Sequence, residues 1–286
     1  MTNAFVIKNT DKNRSWNIAA SLAKPMIAGL SIKGAYSYGV SRSVVEPGST
    51  VSSTFALNPI VSGPNDAPLA YSTNSPGHRV FIAASYSKQY FAFGGTTIAV
   101  FWDAHTNGNT SYIFAGDANT DTFTGNDLIY IPRDTSEMNF VTFTASGKTF
   151  TAADQAAAFE QYIQADKYLS SHRGQYAERG AVFLPFVNRT DLSLTQDIFH
   201  SIGGRRHAGQ IRLDITNFGN LLNHDWGVGQ RIINTSILTN PLADAQGRLS
   251  YRMQLLNNNL ITSPLQTTAG IADVYVMMLS FRYTFQ

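Results

Sequence analysis

The chain has 286 residues, room for one or two ordinary domains, and only 14% of them are Asp, Glu, Lys or Arg, against roughly 25% in a soluble domain. A net charge of +2 with no Lys/Arg cluster gives no footprint for nucleic acid, and the absence of cysteine argues against a small disulfide-stapled scaffold. No run reaches the roughly 20 apolar residues of a membrane helix. Plentiful Ser, Asn and Gly favour strands and polar loops, because these residues compete with or weaken helical backbone bonding. The N-terminus, Met1-Thr-Asn-Ala-Phe-Val-Ile-Lys-Asn9, lacks the basic head, apolar core and cleavage site of a signal peptide.

The dominant signal is alternation with a period of two. A weak first strand sets Phe5 and Ile7 against Val6 and Lys8, and a link at 10–14 follows. Trp16, Ile18, Ala20 and Leu22 then alternate with Ser15, Asn17, Ala19 and Ser21. Beyond a link at 25–29, Leu30, Ile32, Gly34, Tyr36 and Tyr38 share one parity. A long connection over 40–78 carries Pro59, Pro64, Pro68 and Pro76, so 58–77 reads as turn-rich loop. Val80, Ile82, Ala84 and Tyr86 form the next apolar side. After a link at 89–94 come Thr96, Ile98, Val100 and Trp102.

A second long connection spans 104–188. Within it, 151–170 reads as a helix opened by the capping-box pattern Thr151-Ala-Ala-Asp154, with Phe159, Tyr162, Ile163 and Leu169 near one face. Thr190, Leu192, Leu194 and Ile198 alternate next, then Ile211, Leu213 and Ile215 after a link at 200–207. A third long connection over 219–272 contains a short strand at 249–255. The last strand sets Tyr275, Met277, Leu279, Phe281, Tyr283 and Phe285 against Val274, Val276, Met278, Ser280, Arg282 and Thr284.

Charges follow the parity. Lys33, Arg79, Asp103, Asp191, Asp197, Arg212, Asp214 and Arg282 all sit opposite the apolar side. Lys24 and Lys88 share the apolar parity only at strand ends, where a long side chain can snorkel. A cation facing lipid at midplane costs about 2–4 kcal/mol, so a lipid-facing surface would show this exclusion; a half-buried sandwich strand would also alternate. Short and long connections alternate strictly, apart from the short outer link at 10–14. That is the arrangement of periplasmic turns and extracellular loops in an outer-membrane barrel. The expectation is an all-β, antiparallel transmembrane β-barrel segment of about eight strands, with one short loop helix.

Several separated stretches resemble the C-terminal barrel portion of TonB-dependent outer-membrane receptors of the Oar-like group. They are Ser75-Pro-Gly-His-Arg79, Gly116-Asp-Ala-Asn-Thr-Asp121 with Asn126-Asp-Leu-Ile-Tyr-Ile-Pro132, His172-Arg-Gly174 with Ala177-Glu-Arg-Gly180, and Asp214-Ile-Thr-Asn-Phe-Gly-Asn-Leu-Leu-Asn223 with Asp225-Trp-Gly227. The ending, Leu279-Ser-Phe-Arg-Tyr-Thr-Phe285, is similar to the strand read by the barrel-assembly machinery, although Gln286 follows the aromatic.

The resemblance covers nearly all of 1–286. It implies a 22-stranded parent barrel in the outer membrane, with plug domain, TonB-engaging segment and signal peptide upstream of this piece. Its lipid-facing surface would meet outer-membrane lipid, and the intact parent would import a solute. Closure as an eight-stranded barrel is also physically allowed. A soluble extracellular all-β adhesin or binding module is the alternative reading from a different class.

One segment looks like a site. Asp117, Asn119 and Asp121 stand at positions 1, 3 and 5 of a loop that also holds Asn126 and Asp127, the way Ca²⁺ loops gather hard oxygen donors. An EF-hand would need Gly at position 6 and Glu at position 12, where Thr122 and Leu128 stand. The same residues also favour Asx turns, so both readings stand open at this level. The six His form no HExxH motif, and GxSxG, Walker and GxGxxG motifs are absent, so no catalytic residue and no enzymatic role is expected. Arg189, Asp191, Arg212 and Asp214 would line a solute path or form a salt-bridge ladder across neighbouring strands. Tyr36, Tyr38, Tyr86, Trp102, Tyr275 and Tyr283 would suit interfacial girdles.

Overall fold

The computed structural model describes residues 8–46, 48–63, 65, 67–90, 94–202, 205–243, 246–267 and 270–285. Seven long strands dominate: β1 (Arg14–Ile27), β2 (Leu30–Ser43), β3 (Gly77–Tyr90), β4 (Gly94–Thr106), β5 (Phe186–Ile202), β6 (Arg205–Thr216) and β7 (Val276–Phe285). They pair antiparallel in chain order, and a two-residue strand, Ala70–Tyr71, extends the sheet beside the end of β2. Among the described residues the sheet is open, with β1 and β7 as its edges. The strand expected around Phe5 and Ile7 lies outside the described residues.

Register joins the separate alternations into two continuous faces. Ile32 stands opposite Ala84, Ala84 opposite Val100, Val100 opposite Leu192, Leu192 opposite Ile215, and Ile215 opposite Met277. One residue away, the row Ser31, Ser85, Ala99, Ser193, Asp214 and Met278 runs along the other face. A one-residue slip in any pair would throw that strand's apolar set among the charges.

The tight link between β1 and β2 is Ala28-Gly29, both at positive φ (51° and 84°), the backbone that a two-residue hairpin with matched twist requires. Pro25 lies in β1 where the register shifts between Lys24 and Ile27. An irregularity on an edge strand tolerates a residue without an N–H.

Because the strands alternate in direction, the three long connections leave from one end of the sheet. They pack into a single cap, and the hydrophobic core belongs to that cap: every member of the main buried cluster lies within 112–182 or 237–261. Among the described residues the cap holds four α-helices, α1 (Val51–Ala56), α2 (Ala152–Ala165), α3 (Lys167–Ser171) and α4 (Phe218–Leu222).

The helix expected over 151–170 is thus two helices. Thr151 caps α2 through the expected box with Asp154. Asp166 then turns extended (φ −98°, ψ 121°) and caps α3, its Oδ1 accepting from the Leu169 N–H at 2.8 Å. Phe159, Tyr162, Ile163 and Leu169 are all fully buried. The strand expected at 249–255 forms as Leu249–Met253, paired with Leu238–Ala243.

The sheet itself is not buried. Ile18, Leu22, Leu279 and Phe281 are 69%, 82%, 73% and 73% exposed, and all four belong to the apolar face. A sheet in water normally hides an apolar face under a second layer. Here the connections carry the core and the apolar face of the strands is largely uncovered.

Candidate functional site

The polar face bounds a groove of about 680 Å³ whose walls include Lys33, Ser85, Phe101, Asp191, Ser193 and Arg212. At its cap end, Asp103 of β4 accepts from Arg79 Nε of β3 at 2.8 Å, and its other oxygen lies 2.6 Å from His105 Nδ1. Arg212 and Asp214 pair within β6 at 2.8 Å, their i, i+2 spacing placing both on this face.

Arg189 and Asp191 of β5 do not join a ladder across strands. Arg189 Nη2 reaches Asp273 Oδ1 at 2.7 Å, and Asp191 Oδ1 accepts the Asn217 backbone N–H at 2.7 Å. The expected ladder is therefore replaced, at these two positions, by bonds from the sheet to the cap.

These bonds belong to a set of joints between the sheet and its long connections. Asn217 sits at left-handed φ/ψ (51°, 48°), a conformation that Asn tolerates. It is 1% exposed, and its Nδ2 donates to the Asp273 carbonyl at 2.8 Å. Gly227 packs so closely on it that a Cβ there would lie 1.9 Å from Asn217 Oδ1. Asp273 also accepts from the backbone N–H of Gly270 at 2.9 Å and of Gly229 at 3.3 Å. Burial works against its charge, yet these N–H groups and the Arg189 guanidinium hold its carboxyl below the ordinary value.

Arg179 is 2% exposed; its Nη1 donates to Asn58 Oδ1 at 2.7 Å and its Nη2 to the Ser43 carbonyl. Burial lowers the Arg179 pKa, opposed by the charges of Glu46 and Glu178. Next to it, Glu178 pairs with Arg42 of β2 at 3.1 Å. Deeper in the cap, Tyr112 donates to Asp166 Oδ2 at 2.6 Å, and Tyr162 donates to Tyr112 at 3.3 Å. Burial pushes both phenols upward, so they stay neutral donors.

Sequence reasoning singled out the stretch Ala177-Glu-Arg-Gly180 but not the role of Arg179, and missed Asp273 entirely. An Arg-Gly pair at 179–180 was the only local signal for the first, and it does not reveal burial. A lone Asp beside Gly270 carried none for the second.

The aspartate loop is ordered by its own side chains. Asp117 accepts from the N–H of Asp121 at 3.2 Å and of Thr122 at 2.9 Å; Asn119 Oδ1 accepts from Asp121 N–H at 2.9 Å; Asp121 Oδ1 accepts from Phe123 N–H at 2.9 Å. Asp127 Oδ2 accepts from Ala118 N–H at 2.6 Å, and Asn126 Nδ2 lies 3.5 Å from Asp121 Oδ2. These bonds tie Asp117, Asn119, Asp121, Asn126 and Asp127 into one compact loop.

Asn126 is 0% and Asp127 2% exposed, and the Oδ1 atom of each is buried without a hydrogen-bond partner. Burial raises the Asp127 carboxyl to about 6, with the charges of Asp121 and Asp117 adding to it and the Ala118 N–H opposing. None of the three carboxylates has a cationic partner among the described residues. Nor do three His, Cys, Asp or Glu side chains converge as a ready-made metal cluster among them. What the loop presents is a mixed set of carboxylate and carboxamide oxygens. Comparison with known family models, curated proteins and solved structures finds no match to this chain.

Proposed function

We propose that this chain is the C-terminal part of the β-barrel of an Oar-like TonB-dependent outer-membrane receptor, supplying barrel wall and external capture loops. In the intact parent, the loops take up a solute and a TonB-driven plug releases it inward. The observation that carries this reading is the placement of the core. The connections bury their own hydrophobic cluster, while the strands leave an apolar face uncovered, Leu22 at 82% and Phe281 at 73% exposed. Hydrocarbon is the medium in which such a face costs nothing, and the opposite face carries the charges, as the interior of a barrel does.

Other features support the same reading. Polar groups of the apolar parity gather near the short links: Lys24, Lys88, and a cluster in which Tyr90 and Thr96 donate to Gln196 Oε1 at 2.6 and 2.7 Å. Trp16, Tyr38 and Trp102 lie toward the cap end of their strands, with Tyr86 and Tyr283 toward the other end, the two levels where aromatic side chains suit lipid headgroups. Unpaired strand edges are not tolerated in hydrocarbon. Among the described residues one side of β1 and one side of β7 are unpaired, and in the proposed parent further strands of a larger barrel would pair them. The β7 sequence is what the barrel-assembly machinery would read.

Flotation with phospholipid vesicles after dilution from denaturant tests the reading. Lipid-associated chain with heat-modifiable migration on gels is expected. A monodisperse, detergent-free monomer in buffer would refute it and favour a soluble binding module.

A further inference from the structure

We propose that the loop 117–127 is a Ca²⁺ site, in which Asp117, Asn119 and Asp121 supply oxygens from one side and Asn126 and Asp127 from the other. The inference rests on the cap alone and stands whether or not the strands cross a membrane.

The orphaned oxygens are the observation that points to a cation. A buried polar atom normally has a partner, and leaving one without is unfavourable. Here two adjacent residues each keep such an atom, Asn126 Oδ1 and Asp127 Oδ1. The Ala118 N–H holds Asp127 against the acidic loop, whereas Asn126 turns its Nδ2 toward Asp121 Oδ2 at 3.5 Å, so its Oδ1 would meet an ion there only after the amide rotates. The buried carboxylate is also the one that lacks a cation while two more carboxylates stand beside it. A divalent ion would satisfy the Asp127 oxygen and cancel the repulsion together, and would take the Asn126 oxygen as well once that amide has rotated.

The oxygens of Asp117 and Asn119 that accept backbone N–H bonds each retain a second lone pair, so they can ligate without unmaking the turn. The donor set selects among ions. The ligating atoms of this set are carboxylate and carboxamide oxygens, with no imidazole or thiolate, which suits hard cations rather than Zn²⁺. A loop of mixed carboxylates and carboxamides, which must draw in by a small adjustment, meets the flexible coordination of Ca²⁺ better than the strict octahedron of Mg²⁺.

The ion would also have a mechanical effect. The Asn126 carbonyl accepts from Ile60 N–H at 2.7 Å and the Ile60 carbonyl from Leu128 N–H at 2.9 Å. Fixing residues 126–127 therefore fixes the first long connection against the second.

The full chain, folded in detergent micelles and stripped with chelator, is titrated with CaCl₂ and separately with MgCl₂ by calorimetry, with proteolysis of the cap as a second readout. Saturable Ca²⁺ binding is expected at about 10⁻⁴–10⁻³ M, the range of extracellular Ca²⁺ modules. At a hundredfold excess over the dissociation constant, opening of the cap should fall about 100-fold. Asp121→Asn and Asp127→Asn, both isosteric, should each weaken binding at least about tenfold, as loss of ligand charge does. Asp134→Asn, on a different turn, should leave it unchanged. No saturable heat up to about 10 mM Ca²⁺, ten times the weak end of that range, would overturn the proposal. So would unaltered affinity in both loop variants, or equal affinity for Mg²⁺.

Discussion

Leu194 and Ser193 are neighbours in the middle of β5, and the account gives their side chains opposite media. Leu194 stands opposite Ile98 and Leu213, and Ser193 opposite Ala99 and Asp214. Leu194 is already 42% exposed. If water were its surroundings, Leu194→Arg would be a surface substitution worth at most about 0.5 kcal/mol. In hydrocarbon, an Arg near midplane costs about 2–4 kcal/mol, a shift of roughly thirty- to several-hundred-fold in the folding equilibrium at 1.4 kcal/mol per decade. Ser193→Arg instead places its guanidinium beside the Asp214 carboxylate and should cost well under about 1 kcal/mol. Urea titration of folding into short-chain phosphatidylcholine vesicles, followed by heat-modifiable migration, reads both variants. Equal effects of the two substitutions, or a negligible effect of Leu194→Arg, would refute the assignment of faces.

Two further outcomes concern the cap. In Ca²⁺-free buffer its stability should fall as pH rises from about 4 to above 6. The folded Asp127 carboxyl is held up to about 6 while the unfolded one stays near ~3.9, so in that window the folded state keeps a proton the unfolded state has lost. Asp127→Asn removes that slope and should raise stability near pH 8 by about 1–3 kcal/mol; thermal unfolding with an unchanged slope in the variant would contradict it. Arg179→Met leaves Asn58 Oδ1 and the Ser43 carbonyl without their buried donor, which should cost about 2–4 kcal/mol. Pulse proteolysis of the cap measures it, and a loss below about 0.5 kcal/mol, the ordinary surface value, would show that the joint is not needed.

Much of the sheet was legible because its signal is local. Alternation at Val80–Ile82–Ala84 or Leu192–Leu194 depends only on which side chains suit which face, and the register then aligned those faces across seven strands. The strands outrun the clear alternation, β2 reaching Ser43 and β5 beginning at Phe186, since backbone pairing does not need the alternation to continue. The cap was legible only where a local code exists, as at the Thr151 capping box.

The core assembled from 112–182 and 237–261 brings together residues distant in sequence, and no periodicity announces such contacts. The break at Asp166 was hidden because Asp is both a helix residue and a cap, and its choice was made by Tyr112 and Leu169. The aspartate loop showed its residue types in the sequence. The burial of Asn126 and Asp127, on which the proposed ion site rests, accompanies the bridge that Ile60 makes to Asp127 from another connection.

The most direct test uses the lack of native cysteine. Single cysteines placed at each position from 190 to 198 on β5 are spin-labelled, the chain is folded into lipid vesicles, and collision with oxygen is compared with collision with a water-soluble nickel complex. The account predicts a period of two, with positions 190, 192, 194 and 198 favouring oxygen and 191, 193, 195 and 197 favouring nickel. Uniform access to nickel along the strand, or the opposite phase, would contradict the claim that the apolar face meets hydrocarbon.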